Sequence, residues 1–193
     1  MNDNTSWTPS AEDNLLGITD KELINEYEAK GIAQAEIFIL NLDEHTEISV
    51  PLILQIHKII FTELYDWAGK YRSTQVVVGQ LIPPAPKNIP YLFYQFINNL
   101  NYKLVVANTE ADYLDLLVFS HYEFVRIYPF NNGNGRTGRL LMNLICLKIG
   151  YQPLKLYKKQ GDDRAVYISA MREADKGDFE PLKKLIKREL IRF

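Results

Sequence analysis

Cysteine is almost absent from this 193-residue chain: Cys146 stands alone. A single thiol excludes an internal disulfide framework. Its apolar neighbours make it a small buried core residue. No sign of charge dominates either, since 22 basic residues face 24 acidic ones for a net charge of −2. Without a clustered basic run, neither nucleic acid nor an anionic membrane is expected as the main partner. Long apolar runs are missing too, and a stretch such as Leu114 to Phe119 is far short of a membrane span. No N-terminal segment joins basic residues to an apolar stretch in the manner of a secretion signal. A cytoplasmic protein is the expectation, with export by a signal-less route left open. Repeats, linkers and low-complexity tracts are also lacking.

What remains is a chain 47% hydrophobic, enough for one domain with a substantial core. Residues 1–17 are polar and irregular and read as an N-terminal arm; residues 18–193 read as a single helical domain. Thr19-Asp20-Lys21-Glu22 has the pattern of a capping box, and a helix follows to Leu40, with Gly31 interrupting it. Ser49 and Pro51 open a second helix toward Tyr65, carrying His57, which reads as a packed or surface residue and not a catalytic one. Ser73 to Val78 is the best strand candidate, closed by Gly79 and Pro83-Pro84-Ala85-Pro86. Pro90 opens a helix to about Val106 whose aromatics at i,i+3 belong to the core. Thr109 starts the next, which carries His121. Gly150 stops the one after the central turn. Two more are expected, from about Asp163 to Ala174 and from Asp178 to Phe193.

The informative stretch is Ile127-Tyr128-Pro129-Phe130-Asn131-Asn132-Gly133-Asn134-Gly135-Arg136-Thr137-Gly138-Arg139. It joins two apolar segments, Tyr113 to Ile127 and Leu140 to Ile149, both long enough to be buried helices. A helix start leaves its first N–H groups without intrahelical partners, and the dipole makes that end positive. Gly133 and Gly135 carry no Cβ, so the backbone can curve closely around a bulky anion. Arg136 and Arg139, one turn apart, project from one face toward a shared polyphosphate. Together they form a phosphate cradle on a rigid helix.

Tyr128-Pro129-Phe130-Asn131-Asn132-Gly133-Asn134-Gly135-Arg136-Thr137-Gly138-Arg139 resembles the Fic family motif HPFx(D/E)GNGRxxR at all but two positions. The likeness extends to Trp67-Ala68-Gly69-Lys70-Tyr71-Arg72, which looks like the approach to the family's flap. It also takes in His121 to Ile127 before the motif and Ala174 to Leu182 after it. The resemblance implies a mainly α fold, a Fic-type helical bundle with a small β-hairpin flap. It implies a protein adenylyltransferase that moves AMP from ATP, with Mg²⁺, to a hydroxyl side chain of a target protein. By the same resemblance Gly133, Asn134, Gly135, Arg136 and Arg139 bind nucleotide. The position of Tyr128 is catalytic, and that of Asn132 holds the metal. Val76, Val77 and Val78 lie in the flap that docks the target by strand addition.

Two departures qualify this. Tyr128 stands where the family has its histidine base, and a phenol of reference pKa ≈ 10 is only about 0.1% ionised at pH 7. His121 lies seven residues earlier, ~10 Å along a helix, and cannot stand in. Asn132 replaces an acid, and a neutral carbonyl ligates Mg²⁺ more weakly. Three readings stay open. The chain is a nucleotide-binding relative whose transfer is weak or lost, an active transferase using an unusual base, or a partner-binding module with a vestigial nucleotide site. The family's inhibitory pattern (S/T)xxxE(G/N) is met except at its last position by Thr8 to Asp13 and by Ser169 to Ala174. An inhibitory antitoxin-like partner is compatible with the sequence.

Overall fold

A computed structural model describes residues 14–156 and 162–193. The described elements are helices: α1 (Lys21–Leu40), α2 (Val50–Phe61), α3 (Ile89–Val106), α4 (Glu110–Ile127), α5 (Asn134–Lys148), α6 (Asp162–Asp175) and α7 (Glu180–Glu189), with a 3₁₀ turn at Pro86–Asn88. None of the described helices is long and apolar enough to cross a membrane. The mainly α bundle expected from the sequence is what forms. Helix α4 is its axis, touching α3, α5 and α7, while α1 packs chiefly on α2 and reaches α5.

Local chemistry explains the boundaries. Thr109 and Asp112 close a reciprocal capping box, Thr109 Oγ1 accepting from the Asp112 N–H and Asp112 Oδ2 from the Thr109 N–H. Ser49 caps α2 ahead of Pro51. At α1 the cap is Asp20, which accepts from the Glu22 N–H at 2.8 Å, and not Thr19. Gly31 does not interrupt α1. It lies on the stripe Ile24, Glu28, Gly31, Ala35, Ile39 that faces the core, and an added Cβ would come within 2.1 Å of the Ile60 carbonyl oxygen. Glycine is there because α1 and α2 touch backbone to backbone. The second helix ends at Phe61 and the last at Glu189, both shorter than expected.

The β-hairpin flap is not formed as a hairpin of strands. Val78 and Leu81 exchange two backbone hydrogen bonds, 2.9 and 3.0 Å, around Gly79-Gln80. Ser73 to Val77 builds no ladder with the returning chain. The reason is the return arm: Pro83, Pro84 and Pro86 have no N–H to donate. Side chains hold the two arms instead, Gln75 Nε2 donating to the Pro83 carbonyl at 2.8 Å and Arg72 Nη2 to the Pro84 carbonyl at 2.6 Å.

The core around the central turn is aromatic. Phe93, Phe96 and Phe130 each meet Phe124 edge to face or tilted, and Cys146 is buried in the same core cluster as a plain core residue. The sequence positions 1–13, including the Thr8 to Asp13 pattern and most of the expected arm, lie outside the described residues. The other such pattern, Ser169 to Ala174, lies within α6, and its Glu173 pairs with Lys176 at 2.9 Å.

Candidate functional site

The turn between α4 and α5 is pinned from four sides. Asn134 closes it from within: its Oδ1 accepts from the Phe130 N–H and its Nδ2 donates to the Phe130 carbonyl, both at 2.9 Å. From below, His57 Nδ1 accepts from the Gly69 N–H at 2.8 Å. That fixes the proton on Nε2, which donates to the Asn132 carbonyl at 3.1 Å. The imidazole also stacks on Phe130, with ring centroids 3.7 Å apart. From the flap side, Arg72 reaches the Tyr128 carbonyl through Nε at 2.7 Å, and its backbone N–H donates to the Pro129 carbonyl at 2.9 Å. Finally Gly133, at φ 76°, lies against the Phe61 ring so closely that a Cβ would fall 2.2 Å from Cε2. Only glycine fits that N-cap.

No side chain caps the start of α5. The Thr137 N–H reaches back to the Gly133 carbonyl at 2.9 Å. The earlier N–H groups of that first turn are the ones a helix leaves open to an anion. Gly135, expected to curve around the ligand, is an ordinary helical residue here whose Cβ would only touch Arg139. Asn134 belongs to the turn through its side chain, so its backbone N–H is what it can offer a ligand.

Both arginines line one cleft of about 310 Å³, together with Glu36 and Lys155. Arg136 is the more constrained. Its Nη1 pairs with Glu28 Oε2 at 2.5 Å, its guanidinium lies over Phe61 at 4.6 Å from the ring centroid, and Nη2 faces Asn132 Oδ1 at 3.5 Å. Glu28 is 3% exposed and is approached by the Tyr65 hydroxyl at 3.4 Å. Asn132 Oδ1 also accepts from the Gly133 N–H at 2.7 Å, while its buried Nδ2 has no hydrogen-bond partner among the described residues.

Tyr128 is the one described non-glycine residue with positive φ, at 50°. A bulky side chain there carries roughly 1–2 kcal/mol of backbone strain. Burial raises the phenol above its usual pKa, against the opposing pull of a hydrogen bond with Asn134 and of Arg72 and Arg136. The tyrosine is therefore protonated at neutral pH. His121 is fully buried, with Nε2 2.7 Å from the Tyr167 hydroxyl. It is part of the core, away from the role of a base.

Reasoning from sequence missed Glu28 and Arg72. Glu28 carried a readable signal, since it is the lone acid on the apolar stripe Ile24, Gly31, Ala35, Ile39. An acid at a core position demands a cationic partner. Val76, Val77 and Val78 are placed together at the flap turn, with Val77 exposed. Arg72 ties the arms of that flap, through the Thr74 and Pro84 carbonyls, to the motif at Tyr128.

Burial of His57 and His121 has a measurable consequence. Desolvation holds each imidazole neutral, its pKa brought down from the usual 6.5 to about 3, with Arg136 and Arg139 respectively adding to the lowering. A histidine whose folded pKa is depressed is protonated first in the unfolded chain. Stability is thus full above the unfolded value and is lost as pH falls below it. Between about pH 6.5 and pH 5, above the range where most carboxylates titrate, each histidine should remove about 1.4 kcal/mol per pH unit. Urea midpoints measured across that window should fall, and a flat profile would show that the two imidazoles are not held neutral.

Comparison with known proteins agrees with this geometry. The profile of the Fic/DOC family matches residues 47–146. The chain is 29% identical over 187 residues to "Protein adenylyltransferase Fic" of Nematostella vectensis, an alignment covering 95% of this chain and 42% of that protein. It superposes on a fragment of Fic-1 from C. elegans with a TM-score of 0.73 at 30% identity, covering 89% of this chain and 50% of that one. BepC from Bartonella tribocorum, solved with bound AMPPNP, shares the fold at a TM-score of 0.71 and 18% identity, over 93% of this chain and 92% of its own. The chain thus spans less than half the length of the curated relative it matches.

Proposed function

The chain belongs to the Fic/DOC family, and from that premise we propose that it is a nucleotide-binding relative of protein adenylyltransferases whose AMP transfer is weak or lost. The observation that carries the reading is the contrast within one turn: an uncapped helix start with two cleft-lining arginines beside a buried, protonated tyrosine at the base position.

In transfer, a target hydroxyl oxygen bonds to the α-phosphorus of ATP, pyrophosphate leaves, and the hydroxyl proton passes to a base. The chain's own residues serve the first two needs. The N–H groups of the first turn of α5 receive phosphate oxygens, Arg136 and Arg139 balance their charge, and His57, Asn134 and Arg72 hold the turn in register. The target docks along Ser73 to Val78, where Val77 is exposed and Ser73 to Val77 lacks a ladder partner; backbone of a second chain pairs with such an edge. For the third need Tyr128 is inadequate, because its phenol already carries a proton. A buried acid, Glu28, does not replace it, being bound to Arg136.

Calorimetric titration with ADP tests the binding half. Arg136→Ala removes a charge-assisted contact, so affinity should drop by roughly tenfold or more. Wild-type affinity in that variant would send the nucleotide elsewhere. The alternative of a pure partner-binding module is distinguished in the same experiment, since it requires no nucleotide heat from the wild-type chain.

A further inference from the structure

We infer that this site takes a nucleotide as its free polyanion and not as the magnesium complex. The inference rests on the reading of the α5 start as a phosphate site and deepens it.

Magnesium demands oxygen ligands in near-octahedral array, usually including one or two carboxylates. The residue at the family's metal position offers a single oxygen, Asn132 Oδ1, and that atom is already taken. It accepts from the Gly133 N–H at 2.7 Å and faces Arg136 Nη2 at 3.5 Å. The assignment of oxygen and nitrogen in this amide is not arbitrary: whichever atom accepts from a backbone N–H must be the oxygen. A divalent cation placed on it would meet a guanidinium. The carboxylate closest to this arrangement, Glu28, is bound by Arg136 and the Tyr65 hydroxyl. Among the described residues no group of three or more His, Cys, Asp or Glu gathers as a metal site. The chain's residues do not fit the ion.

They fit an anion instead. The other end of the Asn132 amide, Nδ2, is buried without a hydrogen-bond partner among the described residues, and it is a donor. The uncapped N–H groups of the first turn of α5 and the Arg136 guanidinium add donors, and Arg139 and Lys155 line the cleft with Arg136, where Glu36 is the one acid of the lining. In the family's pattern an acid stands at this position and calls for a cation between itself and the phosphates. Here the amide replaces acid and cation together by direct donation. Magnesium on the β-phosphate would lower the ligand's charge and occupy oxygens these donors need.

The test is ADP titration of the full chain in EDTA and in saturating Mg²⁺. Wild type should bind in EDTA as tightly as, or more tightly than, in Mg²⁺; tightening by Mg²⁺ of more than about threefold overturns the inference. Asn132→Asp keeps the oxygen that accepts from Gly133 but exchanges the donor for a charge. Its affinity in EDTA should fall by about tenfold, and Mg²⁺ should restore most of it. An Asn132→Asp chain indifferent to Mg²⁺ would overturn the role given to this residue. Failure of the underlying reading looks different: no ADP binding in either buffer, or wild-type affinity in Arg136→Ala, removes the phosphate site itself.

Discussion

Tyr128→His is expected to raise AMP transfer by about 10²–10⁴-fold, the usual worth of a placed general base. Burial lifts the Tyr128 phenol above its ordinary value despite Asn134, Arg72 and Arg136, so at neutral pH it already carries its proton. An imidazole has a reference pKa near 6.5 and is largely neutral at pH 7. The backbone should accept the exchange. Tyr128 occupies the left-handed region, which histidine tolerates better than most side chains. Its position is set by Arg72 on its carbonyl and by Asn134 beyond it, neither of which needs the ring. The measurement is label transfer from α-labelled ATP into lysate proteins and into the chain itself, with thermal melting as the folding control. ADP affinity should stay within about threefold of wild type, because the proposed phosphate contacts, at Asn132 and the start of α5, do not involve the Tyr128 ring. A silent Tyr128→His chain that still binds ADP would show that the missing base is not the only lesion, and Asn132 would be the next residue to restore.

The parts of this site that the sequence made legible are those built from neighbours along the chain. Periodicity marked α4 and α5, Pro129 and the Gly-Asn-Gly triplet marked the turn, and Thr109 marked the start of α4. Gly133 was rightly singled out, though the reason lies in Phe61, a residue 72 positions away on α2 that fills the space a Cβ would need. Gly135 had the same appearance and a different use. The flap failed as a strand because strand propensity in Val76 to Val78 says nothing about the partner, and the partner is proline-rich. Glu28 and Arg72 escaped because their meaning is wholly long-range: one answers an arginine on α5, the other three carbonyls from two loops. An arginine before a strand looks like solvated surface until something is packed on it, and a lone acid on a core stripe announces a partner without naming it.

Arg72→Ala should cost about 3–5 kcal/mol of unfolding free energy, more than any exposed substitution could. Arg72 is 2% exposed, and its side chain donates to three carbonyls: Tyr128 through Nε at 2.7 Å, Thr74 through Nη1 at 2.8 Å and Pro84 through Nη2 at 2.6 Å. Burial pulls its pKa below the usual arginine value, yet the guanidinium stays charged because every edge of the fork has an acceptor. Deleting the side chain leaves a cavity and three buried or half-buried carbonyls without their donor. Lysine keeps the charge but is a single point donor, so Arg72→Lys should recover less than half of the loss, since one ammonium cannot span carbonyls on the motif turn and both flap arms. Urea denaturation of the three chains measures both numbers, and a loss below about 1 kcal/mol in Arg72→Ala would mean the clamp is ornamental. The functional corollary follows from connectivity. Proline has denied the flap a ladder of its own, so its register relative to Tyr128 is set through this one side chain. Arg72→Lys chains that remain folded should keep ADP affinity, whose contacts lie on α5, while losing target capture. In the docking mode proposed above, this guanidinium would hold the target-docking loop in line with the phosphate-binding turn.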